Sequence, residues 1–352
     1  MDTILKDQLS KLSSDFWNIV SDCLTQSVND DISLRLGSKV LPSGRCVERA
    51  SGDKRKARER VGAMTPSGVE VETMSADEFY VRSNGQKYFT RNWGVHTDVA
   101  VLRKAREATK KFFSEGVGSP QFAFFYGVPG TGKTALVEAS FADDEVITLL
   151  GNGDTDTNDF YGSFIQTPSG NFEWIDAGFI RAVEFGKPFF IDEIGVIDPK
   201  ALTVVYSVMD GRKEITIPMN PERGTIKVHD DFYVIGATNP NAPGVRMSEA
   251  LLSRFQIQVE LTTDWALAKK LGVPATMVSV AQNLYKRTQG DSAEISWSPQ
   301  MRELLGFRDT CEIFGTEFAI SNLIASAPEI DRDVVVDVIA RAYGSEHKPA
   351  KI

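Results

Sequence analysis

The sequence predicts an α/β fold in which a parallel sheet lies between helices around a phosphate-binding loop, with a small all-α domain after it. Three observations predict this. Residues 127–134 read Gly-Val-Pro-Gly-Thr-Gly-Lys-Thr, a complete G-x-x-x-x-G-K-[ST] loop. Apolar runs at 122–126, 188–191 and 232–237 have the length and the aromatic or β-branched content of buried strands. From about residue 263 the apolar spacing is helical. The chain divides on these signals into an extension (1–90), a nucleotide-binding core (91–262) and a helical lid (263–352).

Composition sets the frame. A length of 352 residues suits about two domains with an appendage, and a hydrophobic fraction of 42% suffices for a substantial core. The net charge of −9 argues against general nucleic-acid binding. Cys23, Cys46 and Cys311 are far apart, and only three histidines are present, so neither a disulfide scaffold nor a zinc site is expected. Residues 1–14 are polar and mixed in charge, unlike a signal peptide, and no run of 18 apolar residues suggests a membrane span. The expected setting is a reducing cytoplasm.

In the extension, residues 1–27 read as a helix with Leu5, Leu9, Leu12, Phe16, Ile19, Val20 and Cys23 on one side. Residues 28–75 are rich in Gly, Ser, Pro and charge and read as irregular. Arg49–Arg60 carries six basic and two acidic residues, either a solvated helix face or a patch for nucleic acid or a partner. A polar stretch from 76 leads to a helix over 98–113, with Val101, Leu102, Ala105, Ala108 and Phe112 on one face.

The core opens with the strand at 122–126, the loop and a helix starting at Thr134. A P-loop needs this order, because the helix N-terminus must aim its free N–H groups at the phosphates. Lys133 is placed to reach the β/γ-phosphates, and the Thr134 hydroxyl to bind Mg²⁺. Gly127, Val128, Pro129, Gly130, Thr131, Gly132 and Ala135 complete the expected nucleotide contacts. The second strand ends in Asp192-Glu193. There Asp192 suits Mg²⁺, usually through water, and Glu193 suits orienting or deprotonating an attacking water. A helix cap is the other reading of these acids, but Asp198-Pro199 already caps the helix that follows. The third strand ends at Thr238-Asn239-Pro240, where Asn239 either contacts the γ-phosphate or lytic water or merely makes a turn. Ser248–Phe255 reads as a short helix ending in Arg254. That arginine either serves a neighbouring subunit's phosphate or satisfies the helix dipole.

In the lid, Ser298-Pro299 reads as an N-cap with Pro at the first helical position, Asp331 as the cap of the run 334–339, and 274–287 as an amphipathic helix.

These four core elements, in this order, resemble an AAA+ ATPase of the MoxR/CbbQ/NorQ type, related to dynein- and midasin-like modules. The resemblance spans about residues 95–345. It implies that Gly127–Thr134 is Walker A, Phe189–Glu193 Walker B, Asn239 sensor 1, and Arg254 an arginine finger acting in trans. Two hairpins mark the same clade. One lies within 163–174, around Pro168-Ser-Gly-Asn171, and in the family faces a ring's central pore. The other joins 214–219 to 225–229. The sequence departs from the family where a lid arginine is expected: Gln300 stands there, and Arg302 lies two positions on, about 200° around a helix. Arg302, and after it Arg308, remain the candidates for that role.

The resemblance implies ATP and Mg²⁺ as ligands, a homo-oligomeric ring, a hexamer by family habit, and chaperone-like remodelling of a separate client protein. The alternatives are a nucleotide-gated assembly scaffold with slow turnover, and a DNA-processing motor subunit that uses Arg49–Arg60.

Overall fold

The computed structural model describes residues 79–290 and 293–350, together with the backbone of a short antiparallel pair, Ala63–Met64 with Glu70–Val71, inside the stretch read as irregular. The expected helix at 1–27 and the basic stretch Arg49–Arg60 lie outside the described residues.

Five strands form the central sheet: β1 (Ala123–Tyr126), β2 (Ile147–Leu150), β3 (Pro188–Asp192), β4 (Tyr233–Thr238) and β5 (Ile257–Glu260). Their order is β5-β1-β4-β3-β2, and every pairing is parallel. The three inner strands are the three apolar runs legible in the sequence. All six residues of β4 are buried, whereas β2 and β5 alternate between half-buried and exposed, as edge strands do. Four helices flank the sheet: α1 (Asp98–Glu115), α2 (Lys133–Ser140), α3 (Gly178–Phe185) and α4 (Pro199–Met209). The Thr97 side chain caps α1, accepting the Ala100 N–H, and a left-handed Gly116 ends it. Asp198 caps α4 through the Lys200 N–H with Pro199 at its first position, as expected.

One aromatic cluster ties these layers together. Phe179 is fully buried, with its ring 5.2 Å from Phe189, 5.9 Å from Phe232 and 6.0 Å from Phe160, all edge-on. The register sets Gly236 opposite Ile191, Thr238 opposite Tyr126, and Asp192 opposite Leu150. The carboxyl ends of β1, β3 and β4 therefore open on the same edge.

Both expected hairpins are present. Gly162–Gln166 pairs antiparallel with Phe172–Asp176, with the Phe164 and Trp174 rings in edge contact at 5.1 Å. Glu214–Thr216 pairs with Thr225–Lys227. Two small pairs replace the expected polar stretch: Phe79–Val81 with Lys87–Phe89, and Asn92–Trp93 with His96–Thr97. Strands of two or three residues are too short to show an alternation.

The helices α5 (Ala275–Arg287), α6 (Met301–Phe314), α7 (Thr316–Ser326) and α8 (Arg332–Tyr343) pack around an apolar cluster of their own, reaching from Ala268 to Ile339. Two caps differ from expectation. Gln300, not Ser298, is the N-cap of α6, in a capping box with Glu303. Asp331 precedes α8, but its carboxylate accepts from Ser296 N–H and Oγ at 3.1 and 2.7 Å, so it fastens a loop rather than the helix. Among the described residues no helix is long and apolar enough to cross a membrane.

Candidate active site

The phosphate loop turns on three glycines with positive φ: Gly127 (145°), Gly130 (83°) and Gly132 (93°). At Gly127 space is decisive as well, because a Cβ there would stand 2.4 Å from the Leu261 carbonyl oxygen. Gly132 is the N-cap of α2 and has no side chain to bond the helix's first N–H groups. Those donors are left for an anion.

Lys133 is buried, and its Nζ donates to the carbonyls of Gly127 at 2.7 Å and Val128 at 3.2 Å. Burial pulls its pKa below the ordinary lysine range, against the raising effect of Glu193 and Asp192, while the charge of Arg302 lowers it further. Thr131 is buried and donates to Val128 O at 3.1 Å, which stiffens the loop. Pro129 is exposed at the loop's crest, and Ala135 lies half-buried in the first turn of α2.

Thr134 Oγ1 donates to Asp192 Oδ2 at 3.1 Å. This places two hard oxygen ligands side by side at the foot of the loop, a donor set that fits Mg²⁺ completed by phosphate and water. Asp192 Oδ1 accepts the N–H of Glu193 at 3.1 Å. Glu193 itself is left-handed (φ 54°, ψ 38°), the only non-glycine with positive φ among the described residues. That conformation costs of order 1–2 kcal/mol for an L-residue. It turns the chain sharply out of β3, and Glu193 Oε2 accepts the backbone N–H of Asn239 at 3.2 Å. The side-chain oxygen of Asn239 accepts the N–H of Asn241 at 3.2 Å. Asn239 therefore makes the turn and also stands beside the acid, which it touches through its backbone.

Arg254 follows the short helix Glu249–Leu252. Its Nε and Nη2 donate to the two carboxylate oxygens of Asp210 at 2.8 and 2.9 Å, and its Nη1 donates to Ala250 O. The guanidinium lies 4.3 Å over the Tyr206 ring. It makes no contact with the phosphate loop of its own chain.

Gln300 stands beside Gly130 of the loop but spends its amide elsewhere. It is buried, with its amide bonded to Thr263 Oγ1 at 2.7 Å and Ser298 Oγ at 2.8 Å. Its backbone is extended, so the helical angle between 300 and 302 does not apply. Arg302 is the second residue of α6, and its N–H donates to Gly130 O at 3.2 Å. Arg308 is committed elsewhere, to Leu271 O at 2.7 Å and Asp309 at 2.8 Å.

Sequence reasoning missed Arg91. Its guanidinium bonds the carbonyls of Thr131 in the loop and Thr262 at the exit from β5. Its N–H donates to the buried carboxylate of Asp98, which also accepts from the Tyr88 hydroxyl. Beside it opens a cleft of about 380 Å³, lined among others by Trp93, Asp98, Leu261 and Asp264. The signal available was an aromatic within a turn, Asn92-Trp-Gly-Val95, just before a capped helix.

Residues 123–255 match the family model of the AAA domain (dynein-related subfamily). Over 149 residues, 40% of the chain, the sequence is 30% identical to midasin of Dictyostelium discoideum, and the match spans 2% of that protein. Over 225 residues, 59% of the chain, it is 28% identical to an uncharacterized protein of Staphylococcus aureus, covering 84% of it. Among solved structures, NtrX of Brucella abortus in complex with ADP aligns over 73% of this chain and 62% of its own, with a TM-score of 0.39 and 15% identity. Residues 123–255 are thus similar to the AAA domain of the dynein-related subfamily, and the sheet order and the loop geometry agree with a nucleotide-binding fold there.

Proposed function

We propose that this chain is a MoxR-like AAA+ ATPase that hydrolyses ATP within a homo-oligomeric ring, a hexamer by family habit, to remodel a separate client protein. The observation that carries the reading is the convergence of Lys133, the Thr134–Asp192 pair and the Glu193–Asn239 pair at one edge of the sheet.

In this mechanism the loop N–H groups and Lys133 take the β/γ-phosphates, and Lys133 exchanges its bonds to Gly127 and Val128 for bonds to phosphate. Thr134 and Asp192 would hold Mg²⁺, which when bound would neutralise phosphate charge. Glu193 orients a water and accepts its proton as the oxygen attacks the γ-phosphorus, and the bond to the β-phosphate oxygen breaks to give ADP and phosphate. Asn239 holds Glu193 by its N–H. Arg254, whose bonds go to Asp210 and Ala250 and not to its own loop, stabilises the γ-phosphate held by a neighbouring copy. The cleft beside Arg91 has room for the base. The Gly162–Asp176 hairpin exposes Phe164, Ile165, Phe172 and Ile175, which suits contact with a client protein.

The test is a capture experiment in two arms. Glu193→Gln should bind ATP without turning it over and retain an ATP-dependent partner on a column. Rapid hydrolysis by this variant would remove the mechanism, and the absence of any ATP-dependent assembly would remove the ring.

A further inference from the structure

The surroundings of Arg254 carry a role that its own sequence position does not suggest. An arginine has five N–H donors in one rigid plane. Three are spent inside the chain: Nε and Nη2 on the two oxygens of Asp210, and one Nη1 hydrogen on Ala250 O. The guanidinium carbon lies over the Tyr206 ring, 4.3 Å from its centroid. Fork, ring contact and third bond act on the same guanidinium and hold it in place. The side chain keeps 23% of its surface exposed, and two of its N–H donors are not spent on these three bonds.

Asp210 is itself well held. It is the C-cap of α4, and its N–H bonds back to Tyr206 O and Val208 O. Tyr206 is in the last turn of the same helix. The fixing groups therefore stand on a rigid element and not on a loop. An exposed ion pair between two free side chains contributes little because both must be ordered to form it. Here the Asp210 backbone is fixed by the helix end, and the fork, the ring and the Ala250 carbonyl together order the arginine before it meets anything else.

We propose that Asp210, supported by Tyr206, is a positioning residue for Arg254, presenting its two unspent N–H donors to the terminal phosphate of a nucleotide held by a second copy of the chain. This rests on the reading of Arg254 as acting in trans. Preorganisation of this kind acts on the transition state, because the side-chain freedom is surrendered before the reaction starts.

The experiment measures ATP turnover by the full-length assembled protein. Asp210→Asn keeps the shape but puts an N–H₂ where an acceptor was. The expected result is a kcat lower by roughly 10- to 100-fold with KM for ATP unchanged, since the variant's own phosphate loop is untouched. In an Arg254→Ala background the same substitution should have no further effect. Mixing Asp210→Asn subunits with Glu193→Gln subunits, whose arginine is intact, should restore turnover at the Asp210→Asn sites. Tyr206→Leu, which removes the supporting ring, is the second variant, and light scattering checks that both assemble. Unchanged or raised kcat in Asp210→Asn, or an equal loss in the Arg254→Ala background, overturns the proposal. Full turnover by Arg254→Ala alone overturns the underlying reading of Arg254.

Discussion

The backbone N–H of Asn239 donates to Glu193 Oε2 at 3.2 Å, so the acid that leaves β3 is aimed by the end of the neighbouring strand β4. A glutamine in place of Glu193 can still accept that bond through its own Oε1. Glu193→Gln should therefore keep the geometry and lose only the basicity. Turnover should fall by about 10²–10⁴ while ATP affinity stays within a few-fold. Phosphate release and equilibrium nucleotide binding measure the two separately, and full turnover would exclude Glu193 as the base.

Lys133 gives a pH dependence. In the free protein burial lowers its pKa, with Glu193 and Asp192 opposing the shift. A bound polyphosphate raises the pKa again, because it favours the charged form. Affinity is therefore full below the free-state pKa and is lost as pH rises through it toward the bound value. ATP binding titrated from about pH 7 to about pH 10 should weaken earlier than an exposed lysine would allow. Lys133→Arg, whose charge does not titrate in this range, should flatten the curve even if its affinity is lower throughout. A wild-type curve that is already flat would separate binding from the charge on Lys133.

Arg302 and Arg308 can be told apart by their partners. Arg302 belongs to the first turn of α6 against Gly130, and its charge is felt at Lys133. Arg308 is bonded to Leu271 O and Asp309. Arg302→Ala should weaken ATP binding by about tenfold, the effect of losing one charge-assisted contact. Arg308→Ala should leave binding unchanged. Titration with a fluorescent ATP analogue decides, and the reverse ranking would move the lid's contact with the nucleotide to Arg308.

The aromatic cluster sets the stability of the core. Phe179 is fully buried and meets Phe160, Phe189 and Phe232 edge-on. Phe179→Ala should cost about 3–5 kcal/mol in urea unfolding. A loss below about 1 kcal/mol would show that the surroundings close over the space.

The parts of the site legible in the sequence were those whose chemistry is written in adjacent residues. The phosphate loop, the Asp192-Glu193 pair and the Asp198-Pro199 cap each need only a few neighbours. The order of the strands was not written that way, because β1 lies between β4 and β5, partners more than 100 residues downstream. Arg91 was missed for the same reason: its bonds reach Thr131 and Thr262, and the aromatic turn beside it in sequence points to neither. Gln300 shows a different failure. An angle of about 200° between 300 and 302 requires a helix at both positions, whereas Gln300 precedes the helix in extended backbone and spends its amide on Thr263 and Ser298.

Gly127 and Leu261 meet with no side chain between them. The carbonyl of Leu261 fills the place a Cβ would need, and the Leu261 N–H bonds Tyr126 O at 2.8 Å. The chain leaves the sheet for its helical part at this spot. The helical part thus departs from a fulcrum made of the same backbone that grips the phosphate, and Arg302 on Gly130 gives it a second bearing on that loop. A tilt of the helices would therefore press directly on the main chain of the grip, with no side chain in between.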